Sequence, residues 1–170
     1  MTQTARTIEQ DTEFAFDAAG SDVVDVTAGS DPVSRFLAAV AAGDTDALVA
    51  TLAADAEMVT PLTSRAIIRG REDLRVVFAA MLPTLSADLR WRLRLEDAGV
   101  AIAVADARLG GVHVEDAMLL ETNAAGEIRR ITPHVRPWLG LTVSAFVLGP
   151  QLLKRPAVML RALRAGARKR

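Results

Sequence analysis

Two periods of apolar and polar residues divide the chain. From Asp31 to Met81 apolar side chains recur at helical spacing, and from Asp88 onward they alternate with polar ones. Val33, Phe36, Leu37 and Val40 stand at i, i+3, i+4 and i+7. They predict a helix capped by Ser30 or Asp31, with Pro32 at its first position and Gly43-Asp44 at its end. Asp44 or Thr45 then opens a second helix with the stripe Leu48, Val49 and Leu52, so the pair forms a hairpin. Ala56–Thr60 reads as a short strand stopped by Pro61, and Ser64–Ile68 as a second, closing at Arg69-Gly70. A third helix carries Glu72 and Asp73 in its first turn, where acids complement the helix dipole, and packs Leu74, Val77, Phe78 and Met81. It is predicted to stop before Pro83.

The strand-period half begins with Leu89, Trp91, Leu93 and Leu95 alternating against Arg90, Arg92, Arg94 and Glu96, which predicts a half-buried antiparallel strand with the apolar set inward. Gly99, Gly110-Gly111 and Asn123–Gly126 are turn signals between it and three further strands, VAIAVADARL, VHVEDAMLLET and EIRRITPHV. Such a curved meander needs a cover, and the three helices supply it. Trp138–Leu153 is almost wholly apolar, broken at Gly149-Pro150, and Pro156–Arg168 reads as a basic amphipathic helix. The division expected is an acidic flexible lead-in over 1–29, an α+β domain over 30–138 and an apolar, then basic, helical extension over 139–170.

Composition narrows the chemistry. Hydrophobic residues make up 51% of the 170, but aromatics only 4% and Tyr none, so Ala, Leu and Val carry the packing, as a GC-rich bacterial coding style would have it. The absence of cysteine removes disulfides, thiolate metal sites and cysteine nucleophiles. Met1–Ser30 lacks the basic-then-apolar pattern of a secretory signal, and no run reaches the roughly 18 apolar residues of a membrane span, so the expected location is cytoplasmic. A net charge of −1 conceals an asymmetry: residues 1–31 hold seven acids against Arg6, and residues 137–170 hold seven bases and no acid. Solvated tails are one reading. The other is a basic C-terminal segment that meets an acidic surface, either lipid headgroups or the chain's own N-terminus.

Asp116 is the strongest polar candidate. Alternation puts it on the face of Val114, Met118 and Leu120, where an apolar setting raises a carboxyl pKa toward that of a general base. Pairing with Arg108 or Arg130 is the structural alternative. His134 is a second, weaker candidate; alternation groups Ile131, Pro133 and Val135 on one apolar face and turns His134 away. His113 and His134 are the only imidazoles, and no third ligand accompanies them, so neither a metal nor a cofactor is expected. No phosphate-binding glycine loop and no aromatic-studded basic patch is present, which argues against nucleic acid.

The order helix, Gly-Asp, helix, strand, Pro, then a helix start at Arg-Gly-x-Glu and four meandering strands, resembles the nuclear transport factor 2-like superfamily, SnoaL-like proteins in particular. The residues that carry the likeness are Ala41-Ala42-Gly43-Asp44, Leu52–Ala56, Thr60-Pro61 and Arg69-Gly70-Arg71-Glu72, within residues 31–138. The resemblance implies an α+β fold: a cone-shaped half-barrel, with N-terminal helices packed on a curved, mostly antiparallel sheet around a pocket. It implies a pocket lined by Phe36, Met58, Thr60, Phe78, Met81, Trp91, Met118 and Val135, with a homodimer formed through the outer sheet face. In ketosteroid isomerase the general base, the phenolic donor and the protonated acid fall at positions matching Thr60, Phe36 and near Met118. None of these can perform the role, and that reaction is excluded here. Limonene epoxide hydrolase uses Arg-x-Asp; this chain has the reverse order, Asp106-Ala107-Arg108, and Pro133 near the partner aspartate.

Three functions follow as expectations. The first is binding of a small apolar molecule in the cone. The second is an isomerase, cyclase or hydrolase using Asp116 as acid or base. The third is a structural or membrane-peripheral module acting through residues 138–170.

Overall fold

The computed structural model describes residues 27–61, 66–109, 111–137, 140, 142 and 156–167. The expected acidic lead-in and the apolar Trp138–Leu153 stretch, save Thr27–Gly29, Gly140 and Thr142, lie outside them. Helix α1 (Pro32–Ala42) starts at the Asp31 cap, whose Oδ1 accepts from the Val33 and Ser34 N–H groups at 3.0 Å each. It stops at Gly43, which takes the left-handed conformation at φ 68° that a side chain would strain. Asp44 caps helix α2 (Thr45–Ala50) through a 2.9 Å bond from the Ala47 N–H.

Strand β1 (Leu52–Val59) begins four residues earlier than the expected strand, and Leu52 belongs to it rather than to the helix-two stripe. The cause is tertiary. The Ile128 N–H donates to the Thr51 carbonyl at 3.0 Å, and parallel pairing of Leu52 with Ile128 draws the chain out of the helix. Strand β2 (Ile67–Arg69) covers the end of the expected Ser64–Ile68 strand and runs on to Arg69, while Ser64 and Arg65 lie outside the described residues. Helix α3 (Arg71–Leu85) runs through Pro83 instead of ending before it. Pro83 sits in the last turn on the exposed side, where only the Ala79 carbonyl loses its donor, while Leu82 and Leu85 stay buried and hold the turn down.

After a short 3₁₀ turn (Ser86–Asp88), β3 (Arg90–Asp97), β4 (Val100–Leu109), β5 (Val112–Thr122), β6 (Ile128–Thr132) and β7 (Val135–Arg136) complete the sheet. The strand order is β2-β1-β6-β5-β4-β3, with β7 paired to β5; among the described residues only β1 and β6 run parallel. The helices pack on the inner face of this curved, open sheet, and helix α4 (Pro156–Ala167) packs against β2. The α+β half-barrel with a C-terminal helix is therefore the observed fold.

One expectation about facing is overturned. The β3–β4 register shifts between Trp91 and Leu93, so Arg92 is an extra residue and every later side chain changes face. Trp91 points inward, but Leu93 and Leu95 point out and are 43% and 58% exposed. Arg94 takes the place turned toward α1, where it donates to Ser34 Oγ at 2.6 Å and to Asp31 Oδ1 at 2.8 Å.

Candidate functional site

The inner sheet face and the helices enclose a cavity of about 110 Å³. Its existence traces to small residues. On β4 four of the five inward positions are Ala101, Ala103, Ala105 and Ala107, all buried, the fifth being Leu109, and Ala105, Ala107 and Leu109 form part of the wall. Larger side chains there would fill the space. Helix α3 supplies Val77, Phe78, Met81, Leu82 and Leu85 on the opposite side, while Met58 and Thr60 enter from β1. The Trp91 ring is also on the wall, and its indole N–H is spent on the Leu37 carbonyl at 3.1 Å.

Asp116 is the only ionisable side chain on this wall among the described residues. Strand alternation on β5 delivers it inward between Val114 and Met118. The β5 pairing runs in unbroken register from Ile131 of β6 through Pro133 to Val135 of β7, so those three side chains share the cavity face. The His134 N–H, opposite Ala117, donates both to the Ala117 carbonyl at 3.2 Å and to Asp116 Oδ1 at 2.9 Å. Burial pushes the Asp116 carboxyl up to about 6, against the pull of that hydrogen bond and of the His134 ring. No ion pair involves Asp116 among the described residues: Arg130 bonds Glu57 and Glu121 on the other face. A carboxyl so placed can anchor a hydroxyl or amine, or exchange a proton near neutral pH.

The cavity brings together Met58, Thr60, Phe78, Met81, Trp91, Asp116, Met118 and Val135. Phe36 is not on its wall. It is fully buried behind Phe78, the two rings meeting edge to face at 6.1 Å, while Val40, one turn later on α1, reaches the wall. His134 is exposed, with Nδ1 3.1 Å from the Ala117 carbonyl, and reaches the site only through its backbone and charge. Asp106 faces away, 3.4 Å from Arg92 and 3.8 Å from His113.

Leu85, Ala105, Ala107 and Pro133 also line the wall. Alternation on β4 and β6 carried the signal for three of them. Leu85 was hidden by the expected stop before Pro83. Beyond β7, Gly140 lies so close to Val114 that an added Cβ would stand 2.3 Å from Val114 Cγ1 and 3.7 Å from Val135 Cγ1. Both valines are wall residues.

Comparison with solved structures places this architecture among known folds. An uncharacterized protein conserved in bacteria with a cystatin-like fold, from Silicibacter pomeroyi, superposes with a TM-score of 0.70 at 19% identity, over 77% of this chain and 93% of its own. A steroid delta-isomerase from Pseudomonas aeruginosa gives 0.66 at 20% identity, over 74% and 92%. A de novo designed protein with a curved β-sheet gives 0.55 at 15% identity, over 66% and 88%. Identities this low establish the fold alone. No curated protein matches the sequence. The SnoaL-like domain family matches residues 33–131, and with the half-barrel around its cavity this chain belongs to that family.

Proposed function

We propose that this protein is a cytoplasmic binder of a small, mostly apolar molecule held in the cone, with Asp116 as the polar anchor for one hydroxyl or amine on it. The observation that carries this reading is a cavity walled mostly by hydrocarbon, with Thr60 and the Asp116 carboxyl among its lining. Its volume, about 110 Å³, is of the order of the apolar cavity of roughly 150 Å³ that holds benzene. A single ring fits that space; four fused rings do not. Calorimetric titration with benzyl alcohol and benzylamine tests the reading. Binding is expected to the native protein and to be lost in Ala105→Leu or Ala107→Leu, whose side chains occupy the space. Equal binding to the filled variants would overturn it.

A second reading has Asp116 acting as acid and base in an isomerase, cyclase or hydrolase, and the raised pKa favours it. Under that reading Asp116→Asn keeps ligand affinity and loses turnover.

We also propose a homodimer through the outer face of β3 and β4. Leu93, Leu95, Val100 and Ile102 are each 40% or more exposed there, and Leu95 pairs with Ile102 across the strands. A flat apolar strip of this kind is self-complementary across a two-fold axis.

A further inference from the structure

The C-terminal helix presents a surface that neither the cavity nor the sheet uses. Helix α4 is moored on one side by Val158 and Ala162, 5% and 6% exposed, which sit one turn apart against β2. It is fixed at a second point by Arg161, which gives Asp73 at the start of α3 a two-bond clasp of 2.8 and 2.6 Å. These two contacts set the helix rotation. At about 100° per residue, Met159, Leu163 and Leu160 then follow one another around the side turned from β2, and they are 39%, 50% and 53% exposed. Arg164 borders this apolar arc and is also exposed. In sequence, Lys154 and Arg155 precede the helix, Arg168, Lys169 and Arg170 follow it, and no acid occurs from 137 to the end.

We propose that this face of α4 docks on an anionic lipid bilayer, lying in the headgroup plane. An exposed apolar arc edged by a basic face is the pattern of an interfacial helix, and the surplus of positive charge selects a negatively charged surface over a neutral one. Of the nearby acids, Asp73 is held by Arg161, and Glu72 lies in the groove on the β2 side of the helix, a groove that Arg164 also lines. No described helix is long and apolar enough to cross a membrane. Each basic side chain near such a surface multiplies partitioning roughly five-fold. The inference does not depend on what the cavity binds.

Sedimentation of the full chain with vesicles tests it. The vesicles are phosphatidylcholine alone, or phosphatidylcholine with 30% phosphatidylglycerol, at about 50 mM and about 500 mM salt, since the Debye length falls severalfold between them. At low salt the protein should partition at least ten-fold more onto the phosphatidylglycerol vesicles than onto the neutral ones, and high salt should remove most of that binding. The L160E/L163E variant should lose binding ten-fold or more while keeping the native circular dichroism spectrum and melting temperature, since both side chains are exposed. Arg164→Ala should lose a few-fold. Absence of binding to the anionic vesicles at low salt overturns the proposal, as does equal binding to neutral ones. A native protein that ignores vesicles while L160E/L163E changes its oligomeric mass would assign the arc to a second copy of the chain instead.

Discussion

The backbone N–H of His134 reaches Asp116 Oδ1 at 2.9 Å while it also serves the strand pairing with Ala117. One donor from the β6–β7 link thus orients the only carboxyl in the cavity wall among the described residues without neutralising it. The carboxyl keeps a raised pKa of about 6 because desolvation outweighs that bond.

A raised folded pKa has a defined sign for stability. Unfolded, Asp116 releases its proton near 4; folded, it holds it to about 6. Its contribution to stability is therefore full below pH 4 and is lost as pH rises from 4 to 6, by on the order of 2–3 kcal/mol. Asp116→Asn is expected to melt higher than the native protein at pH 7.5 and close to it at pH 4. Calorimetric scans at the two pH values check this, and a variant that melts lower at pH 7.5 would refute it.

Asp31 carries the opposite sign. Although partial burial works against ionisation, hydrogen bonds from Ser34 and Arg94 hold its carboxyl well below the usual carboxylate range. Its stabilisation is present above about pH 4 and fades as pH falls further. Asp31→Ala removes the cap of α1 and takes one carboxylate partner from Arg94, whose side chain is only 16% exposed and keeps Ser34 and Glu96. A loss of about 2 kcal/mol is expected in urea denaturation at pH 7, and less below pH 3.

Gly140 has no room for a methyl group. Val114, 1% exposed, cannot yield to a Cβ 2.3 Å from its Cγ1. Gly140→Ala should cost about 1–3 kcal/mol and, by pushing Val114 inward, weaken binding of benzyl alcohol. Unchanged melting and affinity would show that the close approach is relieved without consequence.

The proposed dimer face predicts that Leu95→Glu halves the mass seen by sedimentation equilibrium, with the melting temperature of the monomer little changed. A native protein already monomeric at micromolar concentration removes that proposal.

Much of this architecture is legible in local chemistry. Asp31, Pro32 and Gly43 bound the first helix by rules that act within four residues, and period-two alternation carries Asp116 to the inner face. The same alternation groups Ile131, Pro133 and Val135. These are properties of neighbouring positions, and neighbouring positions are visible in a linear text.

What escaped was decided by distant partners. The extra residue Arg92 turned Leu93 and Leu95 outward, since Arg94 gains Asp31 and Ser34 on a helix some sixty residues earlier in the chain. Leu52 left its helix for a parallel strand 76 residues away. Pro83 stayed helical because Leu82 and Leu85 are held by the core. Phe36 lost its place on the cavity wall to Phe78. The sequence alone therefore determines which segments are helix and strand and which strand face is apolar, because those depend on spacing and local hydrogen bonding. The bulge, the strand and helix ends, and the cavity itself belong to the tertiary structure, where burial and pairing between remote segments outweigh local preference.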